Sequence, residues 1–406
     1  MNILVINQPV FNRGDEAAHR SLVRTLNQLL PEAHLTIAIE KINQDTIEQI
    51  RVKSPQNTYV ALKPRKGEYK FRKFAIKSNF LPLSFLIPSN KIIADYIKNA
   101  DIIISAPGGM CLGGFYNWNH LYLMMLTQFY HKYTIYYSRS IGPFNPVTKE
   151  QKLFVNRSID ILSNVNFLSL RDAKSMKTAD ALHLKYTPSI DSAFLDAINI
   201  EIPTEITQQL KKPYIVFVPN ELTWHPQFKS ASQEEIDNCY LKIIEIIAEN
   251  SNCQIVMLPQ LYFCKNNDYA YFSKLKNKSK YQTRILVVED KFSSDIQQCI
   301  IEKSQLIIGA RYHSVIFGLN RSTPVIALNY EHKIEGVLDL LNVKNSMVNF
   351  KSINDIRNFD YGSFTQLFKT KLNYNEDISY KEKARKMAME CLLKAINNLK
   401  QQKIWK

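Results

Sequence analysis

The sequence predicts an α/β protein built on two parallel sheets, each the centre of its own domain, with a cleft between the two. Three observations lead there. Short apolar runs alternate with amphipathic stretches of helix length along most of the chain. The alternation runs twice, once on each side of a polar stretch between Ile200 and Lys212 that carries Pro203 and precedes Pro213. Glycines and arginines collect just past the apolar runs, where open parallel sheets bind ligands.

In the first half, Asn2–Asn7 reads as a strand, and the loop Phe11-Asn12-Arg13-Gly14-Asp15-Glu16 opens a helix with Ala18, Leu22, Leu26 and Leu29 on one side. Gly14 gives that loop backbone freedom, and Asp15 has the chemistry of an N-cap. Further strands are expected at His34–Ile39, Asp101–Ser105, Tyr133–Tyr137, Phe167–Leu170 and near Leu184–Tyr186. Helices fall at Asn119–His131, from a Thr148 cap to Asn164, and around Ser175 and Met176. The opening is β-loop-α-β, but it holds no G-x-G-x-x-G, so dinucleotide binding is not supported.

The second half restarts the pattern with strands Tyr214–Val218, Gln254–Leu258, Ile285–Val288, Leu306–Ile308 and Val325–Leu328, and helices Gln233–Glu249 and Ser294–Glu302. A last helix, Tyr380–Leu399, sets Ala384, Ala388, Cys391, Leu392 and Ala395 on one side and lysines opposite. The domains expected are 1–200, 213–375 and a C-terminal helix over 376–406.

Residues 51–90 break the alternation and read as an insertion. Lys63, Arg65, Lys66, Lys70, Arg72, Lys73 and Lys77 stand with one acidic residue, Glu68, and lead into Phe80-Leu81-Pro82-Leu83-Ser84-Phe85-Leu86-Ile87. Basic residues beside exposed aromatics settle proteins on anionic lipid headgroups. The alternative is a solvated lysine-rich connector followed by a buried helix.

At 406 residues, 45% hydrophobic and 22% charged, the composition is that of a globular protein with room for two cores. Its apolar runs are too short to span a membrane, and MNILVINQPV lacks the charged start of a signal peptide, so a cytoplasmic protein is expected. Six scattered cysteines (Cys111, Cys239, Cys253, Cys264, Cys299, Cys391) form no C-x-x-C pair and are expected to be reduced. No His/Cys/Asp cluster has ligand spacing, so no metal is expected. The net charge of +15 calls for an anionic partner, yet no nucleic-acid motif accompanies it.

The stretch Gly309-Ala310-Arg311-Tyr312-His313-Ser314 carries the sharpest chemistry. It follows the strand Leu306–Ile308 and opens a helical segment. Arg311 can fork onto a carboxylate or phosphate, His313 can hydrogen-bond or donate a proton, and helix N–H groups add positive charge. A surface arginine beside a core histidine is the plainer reading. In the first half, Gly108/Gly109, Gly142 and Arg171 stand at three successive strand ends.

Taken together the motifs resemble those of the polysaccharide pyruvyl transferases. The matching pieces are Asn12-x-Gly14-Asp15-Glu16, Gly108-Gly109, Ser140-Ile141-Gly142-Pro143 and Arg171-Asp172-x-x-Ser175. Asp191-x-Ala193-Phe194, Gly309-x-Arg311-x-His313-Ser314 and Asn329-Tyr330-x-x-Lys333-x-x-Gly336 complete the set. The resemblance implies two Rossmann-like domains arranged as in GT-B glycosyltransferases, with an acceptor side in the first and a donor side in the second. It implies transfer of the enolpyruvyl carbons of phosphoenolpyruvate onto a sugar, or a lipid-linked oligosaccharide, as a ketal. No cofactor is then needed.

On that reading the doubly anionic donor falls to Arg171, Arg311, His313, Ser314, Lys333 and Gly142. His313 either donates a proton to C3 or holds the departing phosphate. Asp15, with Glu16 behind it, takes the acceptor hydroxyl's proton. Asn12, Gly108, Gly109, Tyr116 and Glu221 complete the acceptor contacts. Two departures stand out: Pro219 to His225 lacks the arginine expected there, leaving Glu221 and His225, and Met110-Cys111 replaces a third glycine. The rival reading is a glycosyltransferase of the same fold with a nucleotide-sugar donor, since fold does not fix function. Contact with an anionic membrane, at the inner face of the cytoplasmic membrane, is the remaining partner expected.

Overall fold

The computed structural model describes residues 1–10, 12–40, 47–48, 50–62, 67–195, 198–262, 267–373 and 379–402. Phe11, Lys63, Arg65, Lys66 and Cys264, named above, lie outside the described residues. The chain forms two compact units: Met1–Val10, Ala18–Asp196 and Arg385–Lys406 make the first, and Phe11–Ala17 with Ala197–Ala384 the second.

The first unit holds a seven-stranded parallel sheet in the order β3-β2-β1-β4-β5-β6-β7. Its strands are β1 Asn2–Ile6, β2 His34–Glu40, β3 Asn57–Leu62, β4 Ile102–Ser105, β5 Tyr133–Arg139, β6 Phe167–Leu170 and β7 Thr187–Pro188. Apart from exposed Asn2, β1, β4, β5 and β6 are buried along their length because helices cover both faces of a parallel sheet. Residues 51–90 do not break the alternation as expected. β3 pairs with β2 from Leu35↔Asn57 to Glu40↔Leu62, and helix Glu68–Lys77 follows. β3 carries the short apolar run Tyr59–Leu62 after polar Asn57 and Thr58, and as an edge strand its middle residues are exposed or half-buried. The short β7 also lies two or three residues beyond its expected place.

Helix starts follow local chemistry. Thr148 caps helix Lys149–Asn164 in a capping box with Gln151, as expected. At helix Arg13–Leu29 the cap is Asn12 rather than Asp15: Asn12 Oδ1 accepts the Asp15 amide at 2.8 Å and Asn12 Nδ2 donates back to Asp15 Oδ2 at 2.7 Å. Asp15 is the reciprocal partner, three residues into the pair. Further along the same helix His19 is buried between Gln8 Oε1 (3.0 Å) and Tyr59 Oη (2.9 Å). Burial drives its pKa down to about 3, helped by Arg20 and Arg24, so the ring is neutral at physiological pH.

The second unit repeats the plan with six parallel strands ordered β10-β9-β8-β11-β12-β13. They are β8 Tyr214–Val218, β9 Gln254–Met257, β10 Ile285–Val287, β11 Ile307–Gly309, β12 Val325–Asn329 and β13 Met347–Asn349. Helices Gln233–Asn250 and Ser294–Glu302 fall where expected. Helices Asp268–Lys278, His332–Leu341 and Tyr361–Leu372 and the three-residue edge strand β13 were not foreseen. In both sheets the order reverses once, between β1 and β4 and between β8 and β11. Ligands of open α/β sheets bind outside the carboxyl ends of the strands at that reversal. No described helix is long and apolar enough to cross a membrane.

Candidate functional site

At the reversal in the second unit, β8 runs into Asn220 and β11 into Ala310 and Arg311. The buried Asn220 ties the two strand ends, its Nδ2 donating to the Ala310 carbonyl at 3.3 Å. Tyr240 Oη accepts the Asn220 amide at 3.2 Å and donates to its carbonyl at 3.0 Å. Arg311 is the N-cap of the ten-residue helix Tyr312–Arg321, so its side chain leaves the backbone where the helix dipole is positive.

Asp268 fixes the Arg311 guanidinium. Its Oδ1 accepts from Arg311 Nη2, and its Oδ2 accepts the amides of Gln260 and Leu261 at 2.9 Å each. The carboxylate is almost wholly buried, while the arginine side chain keeps 16% of its surface exposed. Arg311 Nε has no hydrogen-bond partner. Burial opposes the Arg311 charge, but the Asp268 carboxylate and Tyr330 beside it hold the guanidinium pKa above its ordinary value.

His313 is half-buried in the first turn of the same helix, and its ring packs against Gly14. A Cβ on Gly14 would stand 1.8 Å from His313 Nδ1, so this position admits glycine alone. Two motifs three hundred residues apart therefore meet inside one unit, and Asp15, half-buried, is the next residue along. Ser314 turns inward: its hydroxyl donates to the Arg311 carbonyl at 2.6 Å and is fully buried against Gly309.

Arg13 and Glu16 complete this corner as buried scaffold. Arg13 Nη1 meets Glu16 Oε2 at 2.5 Å, Nη2 donates to the Asp290 carbonyl, and the guanidinium lies 4.0 Å over the Tyr262 ring. Glu16 Oε1 also accepts the Ser294 amide at 3.1 Å, at the start of helix Ser294–Glu302. Both Glu16 oxygens are thus engaged. Lys333 is half-buried, 3.4 Å from Glu331 Oε2. Burial pushes the Glu331 carboxyl up, and Lys333 with Tyr330 more than offsets it, leaving the pKa below the usual range. Glu221 is half-buried past β8, followed by Trp224 and His225, whose rings contact Tyr330. Burial lowers the His225 pKa.

The first unit's strand ends are closed by contrast. Arg171 Nη1 meets Asp191 Oδ2 at 2.5 Å and its Nε reaches Ser140 Oγ at 3.3 Å, with both charged side chains at 5% exposure or less. Asp172 caps helix Ala173–Ala181 through Ser175, whose hydroxyl accepts the Ile141 amide at 2.9 Å. The Arg171-Asp172-x-x-Ser175 and Ser140–Pro143 motifs therefore hold each other. Gly142 pairs with Gly113, where a Cβ would stand 2.5 Å from the Gly142 backbone. Gly108 pairs with Arg139, a buried arginine that donates to the Asn7 and Ala106 carbonyls and to Cys111 Sγ (3.2 Å). Gly109 is half-buried, and Tyr116 donates to the Asn145 carbonyl at 3.2 Å with its ring on Phe154.

Residues 12–332 match the polysaccharide pyruvyl transferase family, beginning at Asn12 and spanning Gly14, Arg171, Arg311 and His313. The chain belongs to the polysaccharide pyruvyl transferase family. It is 24% identical over 379 residues to the amylovoran biosynthesis protein AmsJ of Erwinia amylovora, covering 87% of this chain and 89% of that protein. In fold it is similar to the UDP-GlcNAc 2-epimerase of Methanocaldococcus jannaschii solved with UDP-GlcNAc and UDP, at TM-score 0.57 and 10% identity, covering 96% of this chain and all of that one. It is also similar to UGT89C1 of Arabidopsis thaliana complexed with UDP, at TM-score 0.57 and 12% identity, covering 97% and 99%. The two parallel-sheet α/β units and these whole-length likenesses bear out the GT-B-like class. Within this family member the sequence reading passed over Arg13, Asp268 and Arg139. Arg13 lies inside the first motif at its variable position, whereas nothing local marks Asp268 beyond the capping Asn267 before it.

Proposed function

We propose that this protein transfers the enolpyruvyl group of phosphoenolpyruvate to a sugar of a surface polysaccharide or its lipid-linked precursor, forming a cyclic ketal. One observation carries the proposal: Gly14 seats His313 beside Arg311 at the positive end of helix Tyr312–Arg321, so a cation, an imidazole and a helix N-terminus share one turn at the sheet's reversal. Family membership and the AmsJ likeness support the same chemistry.

In the reaction as proposed, Arg311 binds the donor's carboxylate or phosphate. C3 takes up a proton and C2 becomes oxocarbenium-like. A sugar hydroxyl adds to C2, phosphate departs, and a second hydroxyl closes the ketal. Asp15 accepts a hydroxyl proton, and Lys333 adds charge near the phosphate. His313 either protonates C3 or hydrogen-bonds the leaving phosphate. H313Q separates these roles, because glutamine keeps a donor but transfers no proton. No metal or organic cofactor enters this scheme.

A nucleotide-sugar donor is the rival, favoured by the fold alone. The test is mass spectrometry of sugar acceptors incubated with the protein and phosphoenolpyruvate. A product heavier by the three-carbon acid, with release of phosphate, is expected. Consumption of a UDP- or GDP-sugar with no such product would overturn the reading.

A further inference from the structure

We propose that the outer face of residues 68–99 in the first unit is a docking surface for an anionic lipid bilayer. On helix Glu68–Lys77 the inward residues are Arg72, Ala75 and Ile76, while Phe71 and Phe74, 48% and 57% exposed, point to solvent. Phe80 (54%) and Leu86 (77%) continue the exposed apolar series into the next turn and the 3-10 segment Leu81–Leu86. Scattered single exposed apolar residues are ordinary, but four large ones within sixteen residues exceed that background.

The presentation is built in, because a buried arginine anchors the segment from behind. Arg72, fully buried, is paired with Glu40 at 2.6 Å, bonded through Nε to Asn90 Oδ1 at 2.7 Å, and set 4.9 Å from the Tyr122 ring. Ser89 donates to Glu68 at 2.6 Å, and the Phe80 amide bonds back to the Ala75 carbonyl at 3.1 Å. These contacts fix the backbone while the phenylalanine side chains project outward.

The frame around the apolar residues is basic, and that selects the partner. Lys70 and Lys77 flank Phe74 on the helix surface, and Lys91 is exposed at the start of helix Pro88–Asn99. Helix Lys149–Asn164 is joined to this face by Lys73 and Lys77 on Glu150 and by Arg157 to Asn79 at 2.7 Å, and it adds exposed Lys149 and Lys152. Glu68, Asp95, Glu150 and Asp160 are outnumbered by Lys70, Lys73, Lys77, Lys91, Lys149, Lys152 and Arg157 on these elements. Phenylalanine and leucine side chains surrounded by lysines on outward-facing helices match a lipid interface, with apolar groups below the headgroups and ammonium groups among the phosphates. A lipid-linked acceptor would be met on such a surface.

The test is sedimentation of the full-length protein with vesicles of phosphatidylcholine, with and without phosphatidylglycerol. Binding is expected only with phosphatidylglycerol, and it is expected to weaken as salt rises because exposed charges are screened. F71S/F74S and, separately, K70E/K91E should each lower the partition coefficient about tenfold or more at unchanged far-UV circular dichroism. Because K70E/K91E alters only exposed side chains, it keeps the test decisive if the phenylalanine variant misfolds. A protein that stays unbound at low salt, or that binds equally after both pairs of substitutions, overturns the proposal and leaves the face to a protein partner.

Discussion

The two sheets share the order of six strands and reverse at equivalent places, yet their strand ends differ in chemistry. In the first unit Arg171 and Arg139 are buried, Arg171 against Asp191 and Ser140 and Arg139 against the Asn7 and Ala106 carbonyls and Cys111 Sγ. In the second, Arg311 is held by Asp268 but its side chain keeps 16% of its surface exposed, with His313 two residues on in the same turn. The same fold supplies the same strand-end position twice, and only in the second unit does its arginine side chain keep as much as 16% of its surface exposed. An arginine at a strand end is therefore weak grounds for a ligand until its partners are known.

The sharpest way to break that comparison is to remove one arginine from each unit. R171A should act on stability: it leaves Asp191 buried without its ion-pair partner, a loss of about 3–5 kcal/mol for a broken buried pair. Urea unfolding measures it, and a normal midpoint would show that Arg171 is no structural pair. R311A should act on turnover, with kcat/KM falling about 10²–10³-fold as for loss of an aimed electrostatic group. R311K should rescue little, because an ammonium lacks the fork. An R311A enzyme of near-normal kcat/KM would erase the contrast between the units.

Gly14→Ala probes the seat of His313 without touching either arginine. The added methyl must displace the ring, and misplacement by about 1 Å costs on the order of 10²-fold in rate. Steady-state kinetics reads the loss, and unchanged kinetics would mean the packing has no bearing on catalysis. The smallest effect concerns the neutral histidine of the first unit. The His19 pKa is depressed from 6.5 to about 3, so the unfolded chain binds the proton more readily. Its contribution to stability is present above pH 6.5 and is lost as pH falls toward 3, with a slope of up to about 1.4 kcal/mol per pH unit. H19Q should flatten that part of a stability–pH curve measured by denaturant unfolding, and an unchanged slope would assign it to other groups.

Much of the fold was legible because buried parallel strands are written as apolar runs. β6 and β8 fall at the expected residues, and the other central strands differ by one or two at an end. β3 and β13 were not legible: the middle of β3 is exposed or half-buried and its apolar run Tyr59–Leu62 is short, while β13 has three residues and none buried. For the site, the motif stretches pointed to Gly14, Arg311 and His313, but not to their contacts. That Asn12 caps the first helix, or that Asp268 steers Arg311, depends on neighbours brought in by the fold. Glu16 shows the converse: its motif position matches that of a base, while its two oxygens are occupied by Arg13 and Ser294.

Calorimetric titration of the full-length protein and R311A with phosphoenolpyruvate, alongside UDP- and GDP-sugars, tests the central claim most directly. Saturable phosphoenolpyruvate binding by the parent protein, its loss in a folded R311A, and no heat from the nucleotide sugars are expected. Equal phosphoenolpyruvate binding by both proteins, or binding of a nucleotide sugar alone, would contradict it.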